Sequence, residues 1–535
     1  MKARTTSNRF ETDDEGLSRV LCPREDMLLE APVPGEAPGL DGVHRFSCAE
    51  GPFEEYERTV RSTALEVGRH AVEEEVRWAL SIPIWDVLFR PLAARQIRRS
   101  VAPPPVDPDA PEKPPPWWSP PARLDARATR ILSLLCGLSI LTGYLGTTIT
   151  QTITYAADEF GSSKGAQGMA LAAVRAGVLG SLVLMSISDR KGRHRLLGLC
   201  ATAGILSSVA GAVSPDMAVL AITQTSARAF ATALALLLGV VAAEEMPAGA
   251  RAYAASVLAM TAALGAGMAV ILLPVAEGLV TSFDPGSLWW WRLIYAFPIV
   301  LIGFFLRTAR ALPETKRFLR PHGRVHMRGH RGRLVLLSVA GFFGLLFLAP
   351  VSQFQNEFLR DEHGFGAAQI ALFAILTNTP GGVGIVVGGK LADLHGRRIV
   401  GAVGTVAGAF LLALGYWVSG AALWITWMVG TILGAATIPA LGVYGPELFP
   451  TALRGRANGT ITLTGVIGSS TGLILAGRMA TRWDSFGPGM TLLAIGPCIV
   501  AILVLTLYPE TARRELEDIN PEDALGAAGI APPMT

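Results

Sequence analysis

Paired charges at fixed spacing are the part of this 535-residue chain best suited to do chemistry. The run Asp189-Arg190-Lys191-Gly192-Arg193 has a later counterpart in Asp393-Leu394-His395-Gly396-Arg397-Arg398, with the aspartates and the glycines each 204 positions apart. Glu244 precedes Arg251 by seven residues and Glu447 precedes Arg454 by seven, and these two pairs lie 203 apart. Leu312-Pro313-Glu314-Thr315 and Tyr508-Pro509-Glu510-Thr511 form a third pair, 196 apart. Three pairs in one order at nearly constant offset mark an internal duplication. Their chemistry is electrostatic: solvent-exposed ion pairs, each worth about 0–1 kcal/mol, would together bias a two-state equilibrium without locking it.

A second group is polar residues inside apolar runs, where an ionisable side chain is costly and so a functional candidate. Arg175 and Arg228 are the main cases, and their charge points to an anion such as a carboxylate metabolite. Gln151 and Thr150, then Gln353, Gln355 and Asn356, then Asn378 beside Pro380-Gly381-Gly382 are further candidates to face a solute path. The Pro-Gly-Gly run is expected to break its helix and expose backbone groups there.

The elements that carry these residues follow from composition. Half of the chain is apolar, only 17% is charged, and the mean hydropathy is +0.41, which points to membrane embedding. Twelve apolar runs are long enough to span a bilayer: 131–155, 166–188, 196–213, 217–243, 254–276, 289–306, 334–356, 368–389, 398–418, 422–443, 457–477 and 488–508. The expected fold is an all-α membrane protein, twelve transmembrane helices in two six-helix pseudo-symmetric halves (126–312 and 334–510). A basic loop at 313–333 joins the halves and a tail follows at 511–535. Arg190, Lys191, Arg193 and Arg195 lie on the same side as Arg307, Arg310, Lys316, Arg317, Arg320, Arg324, Arg328, Arg331 and Arg333, whereas the opposite loops offer chiefly Lys164 and Arg360. The positive-inside rule then puts both termini in the cytoplasm of an inner (plasma) membrane.

Residues 1–100 form a long cytoplasmic extension. Its middle, Phe53 to Ser100, has the pattern of a charged helix, with Glu54, Glu55, Glu57, Arg58, Arg61, Glu73, Glu74, Glu75 and Arg77 on a solvated face and disordered ends on either side. The apolar, aromatic stretch Trp78–Arg90, followed by Arg95, Arg98 and Arg99, reads either as a helix on the membrane surface or as part of a small packed module. Ten prolines between Pro103 and Pro121 make 101–125 a stiff linker. Cys22, Cys48, Cys136, Cys200 and Cys498 lack metal or disulfide spacing, and Met1 does not open a cleavable signal peptide. No nucleophile motif, metal cluster or phosphate loop appears, so neither an enzyme, a cofactor nor a nucleic-acid partner is expected. The implied partners are a small-molecule solute, protons, the lipid bilayer and a cytoplasmic partner for the extension.

From about residue 126 to the twelfth span the sequence resembles the major facilitator superfamily. Gly389 through Arg398 fits the family's loop signature, while the first-half copy has Met185 where a glycine is usual, leaving less room for close helix approach. Tyr444-Gly-Pro-Glu-Leu-Phe-Pro-Thr-Ala-Leu-Arg454, Pro313–Leu319 and Pro509–Ile519 are similar to the sugar porter branch and related metabolite symporters. The resemblance implies that Asp189, Arg190, Gly192, Arg193, Glu244, Arg251, Gly389, Asp393, Gly396, Arg397, Arg398, Glu447 and Arg454 form a cytoplasmic gate. The two aspartates are then placed to meet a helix N-terminus or an arginine across it.

In those porters a fourth-span arginine stands at the register of Gln224 here, with Arg228 one turn nearer the cytoplasm. Tyr144 belongs to a Gly-Tyr pair that proton-coupled relatives follow with an aspartate, and Leu145 takes that place. Coupling is therefore open between uniport and a proton carried by another acid, of which Asp158, Glu159, Glu277 and Glu357 are available. The paired-glutamine signature of sugar porters is absent from Ser352–Asn356. The expected function is secondary transport of a small organic solute, a carboxylate or a sugar, by alternating access. A multidrug exporter or a solute sensor acting through the extension are the alternatives.

Overall fold

The computed structural model describes residues 3–25, 28–33, 42–66, 68–99, 120–162, 170–171, 173–284, 286–316, 327–365 and 367–523. Most of the proline linker, Lys164, the basic loop over 317–326 and the side chains of Asp189, Arg190, Asn356 and Glu357 lie outside what is described. The chain divides into two compact units, Met1–Leu134 and Leu135–Thr535.

The first unit corrects the helical expectation for the extension. Arg4–Asp13 (β1), Leu29–Pro32 (β2), Gly42–Glu50 (β3), Phe53–Glu66 (β4) and Arg69–Leu80 (β5) form one antiparallel sheet in the order β1-β5-β4-β3-β2. Tyr56, Arg58, Val60 and Ser62 on β4 alternate inward with the period of two that a strand imposes, as do His70, Val72, Glu74, Val76 and Trp78 on β5. The alternation is disguised because Arg58 and Glu74 occupy inward positions. Arg58 pairs with Glu30 at 2.6 Å and with Glu74 at 3.5 Å, Arg24 pairs with Glu74, and the Tyr56 hydroxyl donates to Glu30 at 2.5 Å. Four buried charges thus neutralise one another between two apolar clusters, as buried charges must. The short helix Asp14–Val20 (α1) supplies Leu17 and Val20 to one cluster. Among the described residues of Phe53–Ser100 the only helical part is Asp86–Arg99 (α2), which supplies Ala93 and Ile97 to the other. The sheet also begins at Arg4, where a disordered end was expected.

The second unit is a helical membrane body. Among the described residues eleven helices are long and apolar enough to cross a bilayer, and the shorter apolar helix Ala173–Ser188 stands in the place of the second span. The spans used below are the first (Ala126–Glu159), third (Arg193–Ala212), fourth (Met217–Glu245), fifth (Arg251–Phe283), seventh (Arg331–Gln353), ninth (Arg397–Gly415) and eleventh (Arg454–Trp483). Side chains such as Ile222, Ile271, Val403, Phe410 and Ile502 are exposed on its outside, as expected of residues whose solvent is lipid. The eighth span is broken as the sequence suggests: Ala367–Asn378 stops, Thr379 and Pro380 form a turn, and Gly381–His395 resumes. A turn at Gly177, 204 residues before Gly381, interrupts the second helix close to the duplicated position.

Candidate functional site: a buried ionic gate

Gly192 and Gly396 end one helix and start the next with φ of +97° and +100°, a backbone region where an L side chain is strained. Each tight turn leaves the next helix with unpaired N-terminal amides, and the third motif pair satisfies them. Glu314 accepts from the amides of Arg193 (3.1 Å) and His194 (3.2 Å), and Glu510 accepts from those of Arg397 (3.1 Å) and Arg398 (3.2 Å). A carboxylate at a helix N-terminus is favoured by the free N–H groups and by the helix dipole. Burial opposes the Glu510 charge, but the amides of Ala512, Arg397 and Arg398 and the Arg397 guanidinium hold its carboxyl below the ordinary value.

Glu244 and Glu447 stand at the centre. Within the first half Arg193 donates to Glu244 at 3.2 Å and the Thr315 hydroxyl donates to it at 2.5 Å. Within the second half Arg397 pairs with Glu447, and with Asp393 at 3.1 Å, and donates to the Thr511 hydroxyl at 2.8 Å. Between the halves the bonds cross. Arg454 donates to Glu244 at 2.8 Å, Arg251 faces Glu447 at 3.5 Å, and Arg193 donates to the Thr451 carbonyl at 2.7 Å. Asp393 accepts from the Tyr253 amide at 3.0 Å, in the first turn of the fifth span across the halves, and its arginine partner, Arg397, belongs to its own half.

The structure changes the energetic reading of this cluster. Arg193, Glu244, Arg251, Asp393, Arg397, Glu447 and Arg454 are buried, so the weak, solvent-exposed ion pairs expected from sequence are not what is present. Removing one partner of a buried pair typically costs about 3–5 kcal/mol, because the other is left charged and unpaired.

Two contributions were not visible in the motifs. The tail takes part: Asp523 accepts from Arg454 at 3.1 Å, Glu515 from Arg251 at 3.3 Å, and Asn520 donates to the Glu447 carbonyl at 2.7 Å. Glycine also serves the close helix crossings of both halves. A Cβ at Gly389 would stand 2.8 Å from the Ala252 carbonyl and 2.9 Å from Ser256, so that crossing needs its glycine. At the duplicated crossing the small residue sits on the facing helix, where Gly459 lies against Leu182 and a Cβ would meet it at 2.7 Å. Gly459 is the counterpart of Ser256, 203 positions on. Arg398 is outside the ion pairs and donates to the Val504 carbonyl at 3.3 Å.

The candidate path residues divide. Arg228 donates to the Gly146 carbonyl of the first span at 2.9 Å, and its helix packs against Gly177, two residues after Arg175, where an added Cβ would stand 3.2 Å from the Arg228 Cβ. Gln151 is half-buried, and Gln353 and Asn378 are exposed. Tyr144 is buried with its hydroxyl given to the Ile294 carbonyl at 2.6 Å, so it ties helices together. Gln224, 2% exposed, packs against Gly211 between the third and fourth spans, and Gln355 is buried too. Glu159 is engaged by Trp291 (2.6 Å) and Arg292 (2.9 Å). Among the described residues no group of three or more His, Cys, Asp or Glu could hold a metal ion, and the five cysteines are free.

Comparison with known proteins agrees with this architecture. Residues 334–532 match the family model of the Major Facilitator Superfamily. The chain is 23% identical over 439 residues to a D-xylose transporter of Levilactobacillus brevis, covering 71% of this chain and 92% of that protein. It is 29% identical over 133 residues to the "Putative niacin/nicotinamide transporter NiaP" of Bacillus subtilis (strain 168), covering 24% of this chain and 32% of that protein. It thus spans about a third of the length of that relative. The proton:xylose symporter XylE, solved with 6-bromo-6-deoxy-D-glucose, superimposes with a TM-score of 0.64 at 18% identity, covering 74% of this chain and 99% of XylE. The duplicated motifs, the helical body and these matches together make the chain similar to the Major Facilitator Superfamily, whose family model its residues 334–532 match.

Proposed function

We propose that this protein is a secondary transporter that moves a small organic anion, a carboxylate-bearing metabolite, across the cytoplasmic membrane by alternating access. The observation that carries the substrate class is the pair Arg175 and Arg228. Two arginines on helices packed together at Gly177, with no described carboxylate pairing either, form a site that an anion completes. The relative named for niacin/nicotinamide supports this reading, since niacin carries a carboxylate; the xylose transporter is the reason to test sugars beside it. The gate supports the mechanism. With Glu244, Arg454, Arg251, Glu447 and Asp393 joined across the halves, the motif-bearing face is closed, the state in which a site between the halves loads from the opposite side.

Leu145, buried where proton-coupled relatives carry an acid, removes that proton carrier. The test is a thermal-shift screen of the purified chain with nicotinate, benzoate and xylose, followed by uptake into proteoliposomes. Stabilisation and uptake of a carboxylate, both lost in Arg228→Gln, are the expected result; a response to xylose alone, unaffected by Arg228→Gln, sinks the anion reading. Uptake that rises with an imposed pH gradient assigns proton coupling to an acid outside the first span, and uptake indifferent to it assigns uniport.

A further inference from the structure

One surface of the first unit has no role in the gate or the solute path. Helix α2 buries Ala93 and Ile97 in the sheet's core, yet exposes Val87 (77%), Leu88 (62%), Phe89 (44%) and Leu92 (60%). These residues occupy the first half of the helix, and on its second half Arg95 and Arg98 are exposed as well. A soluble domain gains nothing by holding four large apolar side chains in water on one turn and a half of helix; contiguous apolar exposure edged by charge marks a surface that is covered. The segment before α2 is joined to the start of the first span. Within this unit the Ser81 hydroxyl donates to the Ala126 carbonyl at 2.7 Å, and the Trp85 indole N–H donates to the Ser133 carbonyl at 3.2 Å. Trp85 thus bonds to the start of the helix that begins at Ala126, and indoles favour the membrane interface.

We propose that α2 is a membrane-docking helix whose apolar half enters the cytoplasmic leaflet while Arg95 and Arg98 bind the phosphates of anionic phospholipid. Apolar insertion and basic charge add in such a helix, and neither suffices alone. The inference rests on the cytoplasmic placement of the first unit proposed above and is independent of the solute.

The test uses the full chain, with its native cysteines replaced, in nanodiscs of phosphatidylcholine with and without phosphatidylglycerol. A spin label at Leu92→Cys reports immersion by its collisions with oxygen relative to a water-soluble nickel chelate. Leu92 is exposed, so the label leaves the packing of Ala93 and Ile97 intact. The label is expected to be immersed when phosphatidylglycerol is present, while one at Glu57→Cys on the sheet remains in water. Arg95→Gln and Arg98→Gln are each expected to lower the ratio of docked to free by about fivefold. A label at 92 as accessible to nickel as one at 57 overturns the proposal. So does a label shielded from both reagents, which would mean that a protein covers the face, and so does immersion that survives loss of both arginines.

Discussion

Arg454 and Glu244 belong to different halves, yet their 2.8 Å bond is shorter than the 3.5 Å separation of the equivalent pair, Arg251 and Glu447. The duplicated gate is therefore tighter on one arm. Arg454→Met leaves Glu244 with Arg193 and Thr315, and removes a partner from Asp523 as well. It is expected to shift the equilibrium toward the cytoplasm-open state by about 3 kcal/mol or more, beyond a hundredfold in population. Labelling of single cysteines on the cytoplasmic side reads this directly. Arg251→Met, on the looser arm, should produce the smaller shift.

Asp393→Asn keeps an acceptor for the Tyr253 amide and weakens the pairing with Arg397. Expression and membrane insertion should match the parent protein, and turnover in proteoliposomes should fall. Unchanged turnover would show that Asp393 only shapes its loop.

Gly396→Ala places a methyl group on a backbone at φ +100° and 2.9 Å from the Glu510 carboxylate. A loss of about 1–3 kcal/mol is expected from backbone strain alone, read as a lowered melting temperature. Gly434→Ala, where nothing lies within 4 Å, is the matched control and should be close to neutral.

Glu510 gives a dependence on pH. Its carboxyl titrates below the ordinary 4.5 in the folded protein, since its hydrogen bonds favour the charged form. A depressed carboxyl contributes stability that is fully present above the unfolded value and is lost as pH falls through the folded one. Glu510→Gln should therefore melt earlier than the parent near neutral pH, and the two curves should converge as pH drops below 4.5. A gap that persists in acid would mean that the charge is not what Glu510 contributes.

The gate was legible in sequence because duplication writes the same residues twice: Asp393, Glu244, Glu447, Arg251 and Arg454 could be found by offset alone, and they come together. Its dielectric setting was not, since a charge beside a span end reads as exposed until tertiary packing covers it. Asp523 and Asn520 were missed because the tail that carries them has no described counterpart in the first half. Tyr144 looked like a path residue because a polar group inside a span suggests function, but its hydroxyl bonds to the Ile294 carbonyl. The sheet was hidden for the reverse reason. Arg58 and Glu74 point inward as a neutralised pair, so the alternation that identifies a strand was broken by its own core.

The crossing that carries Gly389 and its duplicate that carries Gly459 differ in which helix is thin. What such a crossing requires is a combined thickness of the two facing positions, and either side can supply it. Substitutions there are then expected to be epistatic: a bulky residue at 389 is tolerable only with a smaller neighbour across the interface. Covariation between facing helices, more than identity within one loop, is the signal by which copies of this gate can be traced.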